Sequence, residues 1–205
     1  MSVEIRGTLH FLQSENQRLQ EENQRLRDEV VRLRLVLRSL RTLQEISLGI
    51  NKHTDVLGLL DRILQSALTT INASDGSLML VDDETDELVF VVVHGTMRTQ
   101  LTGYRIPLGT GIAGWAAKHA EAVMVPDVHR DPRFSSQIDQ KFHFRTRSMI
   151  CVPIAYDKKV TGVIQVLNKS NGEEFNEADL MLLGVVAQVA ATAIHKAEAA
   201  VAEDE

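Results

Sequence analysis

Three stretches of this sequence hold residues that could bind or act on a small molecule. The first is GTGIAG, where Gly109, Gly111 and Gly114 match a G-x-G-x-x-G spacing. A dinucleotide site needs that loop between a strand and a helix of a βαβ unit, with an acid about 20 residues further on. Here the strands that follow read as hairpins, so the dinucleotide reading is rejected. What survives is local. Gly111 lets the backbone approach a ligand closely, and the amides of Ile112 and Ala113 stand at a helix start. Such amides have no partner within the helix and favour an anionic or strongly accepting group. A plain tight turn would use the same glycines, and both readings stay open.

The second stretch is FRTRS. In an extended segment Arg145 and Arg147 share one face and Thr146 takes the other. Thr146 then offers a hydroxyl to a ligand if it faces inward; otherwise the segment is a solvated charged edge. The third is Cys151, the single cysteine, inside the apolar run SMICVPIAY. A buried, inert thiol is the expected role there. One cysteine also rules out a disulfide framework within the chain and any multi-cysteine metal site. No Ser or Cys has an evident His partner. His94, His119 and His143 are scattered without the spacings of a metal site. No metal is expected, and catalysis has no support in the residues, so the chain is expected not to be an enzyme.

Composition narrows the partners. The 205 residues are 44% hydrophobic and carry a net charge of −6. That allows one domain with a real core plus an extension. Residues 1–45 hold eight Arg and seven acids, so the negative balance lies beyond them and argues against nucleic acid. No apolar run is read as approaching transmembrane length, and the N-terminus shows no apolar signal core. A cytoplasmic protein without membrane partners is the expectation.

The elements that must position these residues follow from periodicity. TDVLGLLDRILQSALTTI has helical apolar spacing with Thr54 as N-cap. GSLMLVD and LVFVVVHG read as strands around the turn DETDE. YRIPL is short and extended, GIAGWAAKHA a short helix, AVMVPDV a brief strand, and DPRFSSQIDQKFHF a loop or irregular helix. SMICVPIAY and VTGVIQVLNK form two further strands. A long helix follows from Asn176, with Asp179 at N3 as in a capping box. This order predicts an α+β fold, an antiparallel sheet between helical layers.

Ahead of it stands a different pattern. Leu12, Leu19, Leu26, Leu33 and Leu40 recur every seven residues, as do Leu9, Asn16, Asn23, Val30 and Leu37. That alternation of three and four is the seam of a coiled coil. Asn16 and Asn23 at the a positions cost stability but fix register and favour a parallel pair. Glu22 with Arg27, and Glu29 with Arg34, suit charge pairing between parallel helices. A parallel homodimer is predicted, with the helix running through Leu43, Ile46 and Ile50 into the globular part. The alternative is one solvated helix packed on its own domain.

From about Leu43 to His195 the sequence resembles a GAF domain. The segments GSLMLVD, IPLGTGIAGWAA, VPDVHRDPRF, FRTRSMICVPI, GVIQVLNK and FNEAD carry the likeness in the family's order. It is most similar to the regulatory domains of cyclic-nucleotide phosphodiesterases, whose Asn-Lys, Phe, Asp-Glu signature is matched by Asn168, Lys169, Phe175 and Asp179, with Leu180 in place of the Glu. With the heptads and the composition of the tail, the resemblance gives boundaries of 1–42 for a coiled-coil dimerisation helix, 43–198 for the sensory domain and 199–205 for a disordered acidic tail. It implies a ligand site at Ser77, Ile112, Ala113, Asp139 and Thr146, and a structural ion pair between Lys169 and Asp179. It departs at Val93 and His94, and at Ser135, Phe142 and Gln165. Ser135 replaces an aromatic lid residue, which removes a stacking surface for a purine.

A non-enzymatic signalling function follows from this likeness. A small molecule, with cAMP or cGMP as the leading ligand, would enter between the sheet and a lid spanning roughly Val125 to Phe144. The closed lid would shift the helices and pass the signal to a separate output protein. The alternative is a ligand-free dimerisation scaffold whose pocket is filled by its own side chains. Some GAF proteins reduce free methionine sulfoxide, but that cycle needs several cysteines.

Overall fold

The computed structural model describes residues 10–27, 29–30, 33–34, 37 and 55–202. The described residues from 10 to 37 are helical (α1) and form a unit of their own. Phe11, Leu12, Leu19, Leu26, Val30, Leu33 and Leu37 are exposed on it, as are Asn16 and Asn23. Asn23 Nδ2 donates to Leu19 O at 3.1 Å. The expected passage through Leu40, Leu43, Ile46 and Ile50, and the expected cap at Thr54, lie outside the described residues.

The second unit begins with α2, Val56–Ile71. Its cap is Asp55, whose carboxylate accepts from Gly58 N at 2.8 Å. Leu60, Leu64, Ala67, Leu68 and Ile71 recur at three- and four-residue intervals and are buried. Six strands follow in one antiparallel sheet: β1 (Ala73–Asp82), β2 (Glu87–His94), β3 (Arg105–Pro107), β4 (Val123–Val125), β5 (Met149–Tyr156) and β6 (Lys159–Lys169). Their order across the sheet is β3-β2-β1-β6-β5-β4. Short helices α3 (Arg98–Leu101), α4 (Gly111–His119) and α5 (Gln137–Phe142) interrupt them, and α6 (Glu177–Ala202) closes the unit.

Period-two alternation sorts the two faces. Leu78, Ile150, Ile164 and Val166 are fully buried on the side where α2 and α6 pack. The other face forms a second core with α3, α4 and the 126–148 segment; it contains Met79, Phe90, Val93, Ile112, Ala116, Val128, Met149, Cys151 and Val163. Register lines up Ser77, Gln165, Cys151 and Val123 across four strands of this second face.

α6 corrects the reading that no apolar run reaches transmembrane length. Residues 177–200 are long and apolar enough to cross a membrane, with a mean hydropathy of 1.6. Leu183, Ala190 and Ala193 are fully buried in the protein, so the apolarity also serves a core helix. Asn176 caps it, with Oδ1 accepting from Ala178 N at 2.9 Å and Asp179 N at 3.1 Å. Asp179 Oδ2 accepts from Asn176 N at 3.0 Å, the reciprocal bond of a capping box. The helix includes residues 199–202 of the expected tail; 203–205 lie outside the described residues.

Candidate functional site

The Gly-rich loop shapes the site first. Gly109 and Gly111 have φ of +88° and +68°, a left-handed backbone that glycine adopts without a Cβ clash. A Cβ on Gly114 would stand 2.8 Å from Gly109 N, so the loop folds tightly onto the first turn of α4. The Thr110 side chain makes no capping bond. Among the described residues, the amides of Ile112 and Ala113 donate to no acceptor. Both residues line a cavity of about 110 Å³ between the second face of the sheet and the 126–148 segment.

All five residues expected to bind ligand line this one cavity: Ser77, Ile112, Ala113, Asp139 and Thr146. They do not offer equal chemistry. Ser77 and Gln165 face each other across the β1–β6 ladder, and Gln165 Nε2 donates to Ser77 Oγ at 2.9 Å. Both are buried and line the cavity, and this bond leaves the Ser77 hydroxyl proton and Gln165 Oε1 unused. Asp139 and Thr146 instead satisfy each other. Thr146 N donates to Asp139 Oδ2 and Thr146 Oγ1 donates to Asp139 Oδ1, both at 2.8 Å. Thr146 does face inward, with Lys141, His143, Arg145 and Arg147 exposed and Phe142, Phe144 and Ser148 turned inward between them. Its hydroxyl proton nevertheless goes to the carboxylate of α5. The pair joins the two sides of the strap.

The wall between these polar groups is aromatic. Phe90, Tyr104, Phe134 and Phe144 line the cavity, and Phe142 packs edge-on to Tyr104 at 5.5 Å from outside the lining. Ser135 itself brings no aromatic ring to this wall. The strap turns Phe134, one residue earlier, toward the cavity. Ser135 also lines it, close to Gly111. Sequence reading missed Phe134 and Tyr104, because nothing in their spacing tells which way a loop turns, and Phe144, whose place in the alternation around Thr146 could have shown it.

Lys169 and Asp179 stand away from the cavity lining. Lys169 Nζ lies 2.7 Å from Asp179 Oδ2, with both side chains buried, and ties the end of β6 to the start of α6. The neighbouring Asn168 has φ of 50°, a left-handed conformation that Asn tolerates. Its side chain accepts from Arg147 N at 2.8 Å and donates to Arg145 O at 2.9 Å, holding the end of the strap against the sheet.

The other candidates offer less chemistry. Cys151 is fully buried, and desolvation pushes its thiol well above the ordinary range, so the thiolate is disfavoured. His94 Nε2 lies 3.1 Å from Asp61 Oδ1, yet that nitrogen makes no hydrogen bond among the described residues. The two atoms are close without the alignment of a hydrogen bond. No group of three or more His, Cys, Asp or Glu among the described residues could hold a metal ion.

An antiparallel six-stranded sheet with α2 and α6 on one face and a strap-covered cavity on the other defines a small α+β module. The family model for the GAF domain matches residues 55–194, and the chain belongs to that family. It is 36% identical over 149 residues to the dual 3′,5′-cyclic-AMP and -GMP phosphodiesterase 11 of Drosophila melanogaster, covering 66% of this chain and 10% of that protein. It is 34% identical over 164 residues to phosphodiesterase 11A of Takifugu rubripes, covering 75% of this chain and 18% of that protein. The chain thus spans less than a fifth of these relatives. A GAF domain of a Coxiella burnetii phosphoenolpyruvate-protein phosphotransferase shares the fold, with a TM-score of 0.71 at 18% identity over 83% of this chain and 98% of that one. So does a free methionine-R-sulfoxide reductase of Neisseria meningitidis, with a TM-score of 0.62 at 24% identity over 79% and 89%.

Proposed function

We propose that this chain is a dimeric, non-enzymatic sensor whose cavity takes a small anionic molecule, with cAMP or cGMP as the leading ligand. One observation carries the reading: unpaired amides at the start of α4 and the Ser77–Gln165 pair open into the same aromatic-walled cavity. Partial positive charge at a helix N-terminus suits a cyclic phosphate. Aromatic faces suit a purine, and a hydroxyl beside an amide suits a base edge or a ribose. The relation to dual-specificity cyclic-nucleotide phosphodiesterases supports the same ligand class. Signalling through α1 to a separate output protein then requires the ligand to prefer one conformation over another.

The shared fold with a methionine sulfoxide reductase does not carry that activity here. The single thiol is buried and held protonated, and thiol redox chemistry needs an accessible thiolate. The scaffold reading, with a sealed pocket, is weakened because Phe142 packs beside Tyr104 and leaves the cavity open.

Thermal denaturation with each nucleotide tests the proposal. At about a hundred times its dissociation constant, a true ligand should raise Tm by roughly 5–10 °C by mass action. Unchanged melting with both nucleotides, and no small molecule in native mass spectra of the purified protein, would leave the scaffold reading standing.

A further inference from the structure

The 126–148 segment is not held evenly. Its C-terminal part is fixed twice: by the paired bonds between Asp139 and Thr146 and by the Asn168 side chain on Arg145 and Arg147. Its N-terminal part is fixed at Val128, whose side chain is fully buried and whose N donates to Arg147 O at 2.9 Å, and further along by Arg133. Arg133 donates from Nε to Asp131 Oδ1 at 2.9 Å and from Nη2 to Asp131 Oδ2 at 2.6 Å. The guanidinium so oriented lies 4.4 Å from the centre of the Trp115 ring. Trp115 is on α4, whose first turn lines the cavity, and it stacks on His119 at 4.4 Å. A bidentate carboxylate and an aromatic face are the two surfaces that a planar guanidinium fits at once.

Between these anchors the strap is held by local bonds at the start of α5, where Gln140 N and Nε2 donate to Ser136 O and Oγ, both at 2.9 Å. Among the described residues, the amides of residues 135–139 donate no hydrogen bond to any acceptor. Ser135, Gln137 and Ile138 from this stretch line the cavity, as does Phe134 beside it. Segments with few backbone bonds are those that open locally.

We propose that Arg133 is a positioning residue for the ligand cavity: stacked on Trp115, it latches one end of a gate formed by residues 134–138, through which a ligand enters while the rest of the strap stays closed. The gating role rests on the proposed small-molecule function; the latch itself rests only on the contacts above. Arg133 acts through Phe134 and Ser135, which it holds over the mouth of the cavity. The bidentate bond to Asp131 also keeps that carboxyl below its ordinary range.

Trp115 is the only tryptophan, so its fluorescence reports the latch directly. Amide exchange and acrylamide quenching are compared for the full chain, Arg133→Ala and Arg133→Lys. Arg133→Ala should speed exchange of the bonded amides that flank the stretch, Phe134 N to Asp131 O and Gln140 N to Ser136 O, by roughly tenfold, the scale of a lost cation–π contact with its hydrogen-bonded partner. It should also make Trp115 more quenchable and leave exchange at 144–152 unchanged. Arg133→Lys keeps the cation but not the fork and should fall between the two. Asp131→Asn, which weakens the fork and keeps Arg133, should repeat the direction and serves if Arg133→Ala fails to fold. Equal acceleration across 126–152, or no change at Trp115, would overturn the latch. Saturating cAMP or cGMP is a separate arm. Slower exchange at Phe134 and Gln140 supports the gate, whereas two nucleotides that do not bind would remove the ligand reading and leave the latch to be decided by the variants.

Discussion

At the residue scale, polar groups divide into those that satisfy each other and those that remain available. Asp139 with Thr146, Asp131 with Arg133 and Lys169 with Asp179 belong to the first kind. Ser77, Gln165 and the amides of Ile112 and Ala113 belong to the second. The Lys169–Asp179 pair makes the cost of disruption testable. Removing one member of a buried pair strands the other charge, which costs about 3–5 kcal/mol. Lys169→Met should therefore lower the urea midpoint of unfolding sharply. Adding Asp179→Asn, which keeps an acceptor for Asn176 N, should restore most of the loss. A double variant as weak as the single one would show that the pair stabilises through something other than charge balance.

At the element scale, the strands and their succession along the chain follow from apolar runs, because a buried strand needs little else, whereas the order β3-β2-β1-β6-β5-β4 across the sheet does not. The capping box at Asn176 was legible for the same reason: its two bonds join residues three apart. The cavity was only half legible. Ser77, Ile112, Ala113, Asp139 and Thr146 could be named from the family's motifs, yet their partners could not. The Asp139–Thr146 bonds join a helix to a strap seven residues later, and the stack of Arg133 on Trp115 joins positions eighteen apart through a path that no periodicity records. The alternation in KFHFRTRS was visible in principle, since exposure follows every second residue from Lys141 to Ser148. The Gly-rich loop makes an element-scale prediction. A methyl on Gly114 would meet backbone atoms of Gly109 at 2.8 and 2.9 Å, which cannot yield as a flexible side chain would. Gly114→Ala should cost about 1–3 kcal/mol by overpacking and displace the start of α4. Both the urea midpoint and any nucleotide-induced shift in Tm should fall. A variant with native stability and native ligand response would mean that the loop adapts and that its tight closure does not shape the site.

At the scale of the whole molecule, the question is what the apolar seam of α1 covers. Leu12, Leu19, Leu26 and Leu33 are exposed in the single chain, and one helix gains nothing by displaying leucine every seventh residue to water. A second copy in parallel would bury that seam, and Asn16 and Asn23 would then meet their counterparts only in one register. Two experiments separate this from other assemblies. Leu12→Cys places a thiol at a d position, where a parallel, in-register pair brings two copies together and an antiparallel pair does not; the native Cys151 is buried and should stay silent. Air oxidation should give a covalent dimer. Replacing Asn16 and Asn23 with leucine should raise the melting temperature of the helical pair while lowering the yield of that crosslink, because the polar residues that specify register at a cost in stability are gone. A monomer by light scattering, or a crosslink yield indifferent to the asparagines, would remove the parallel pair and with it the geometry by which two sensor domains could act on one output.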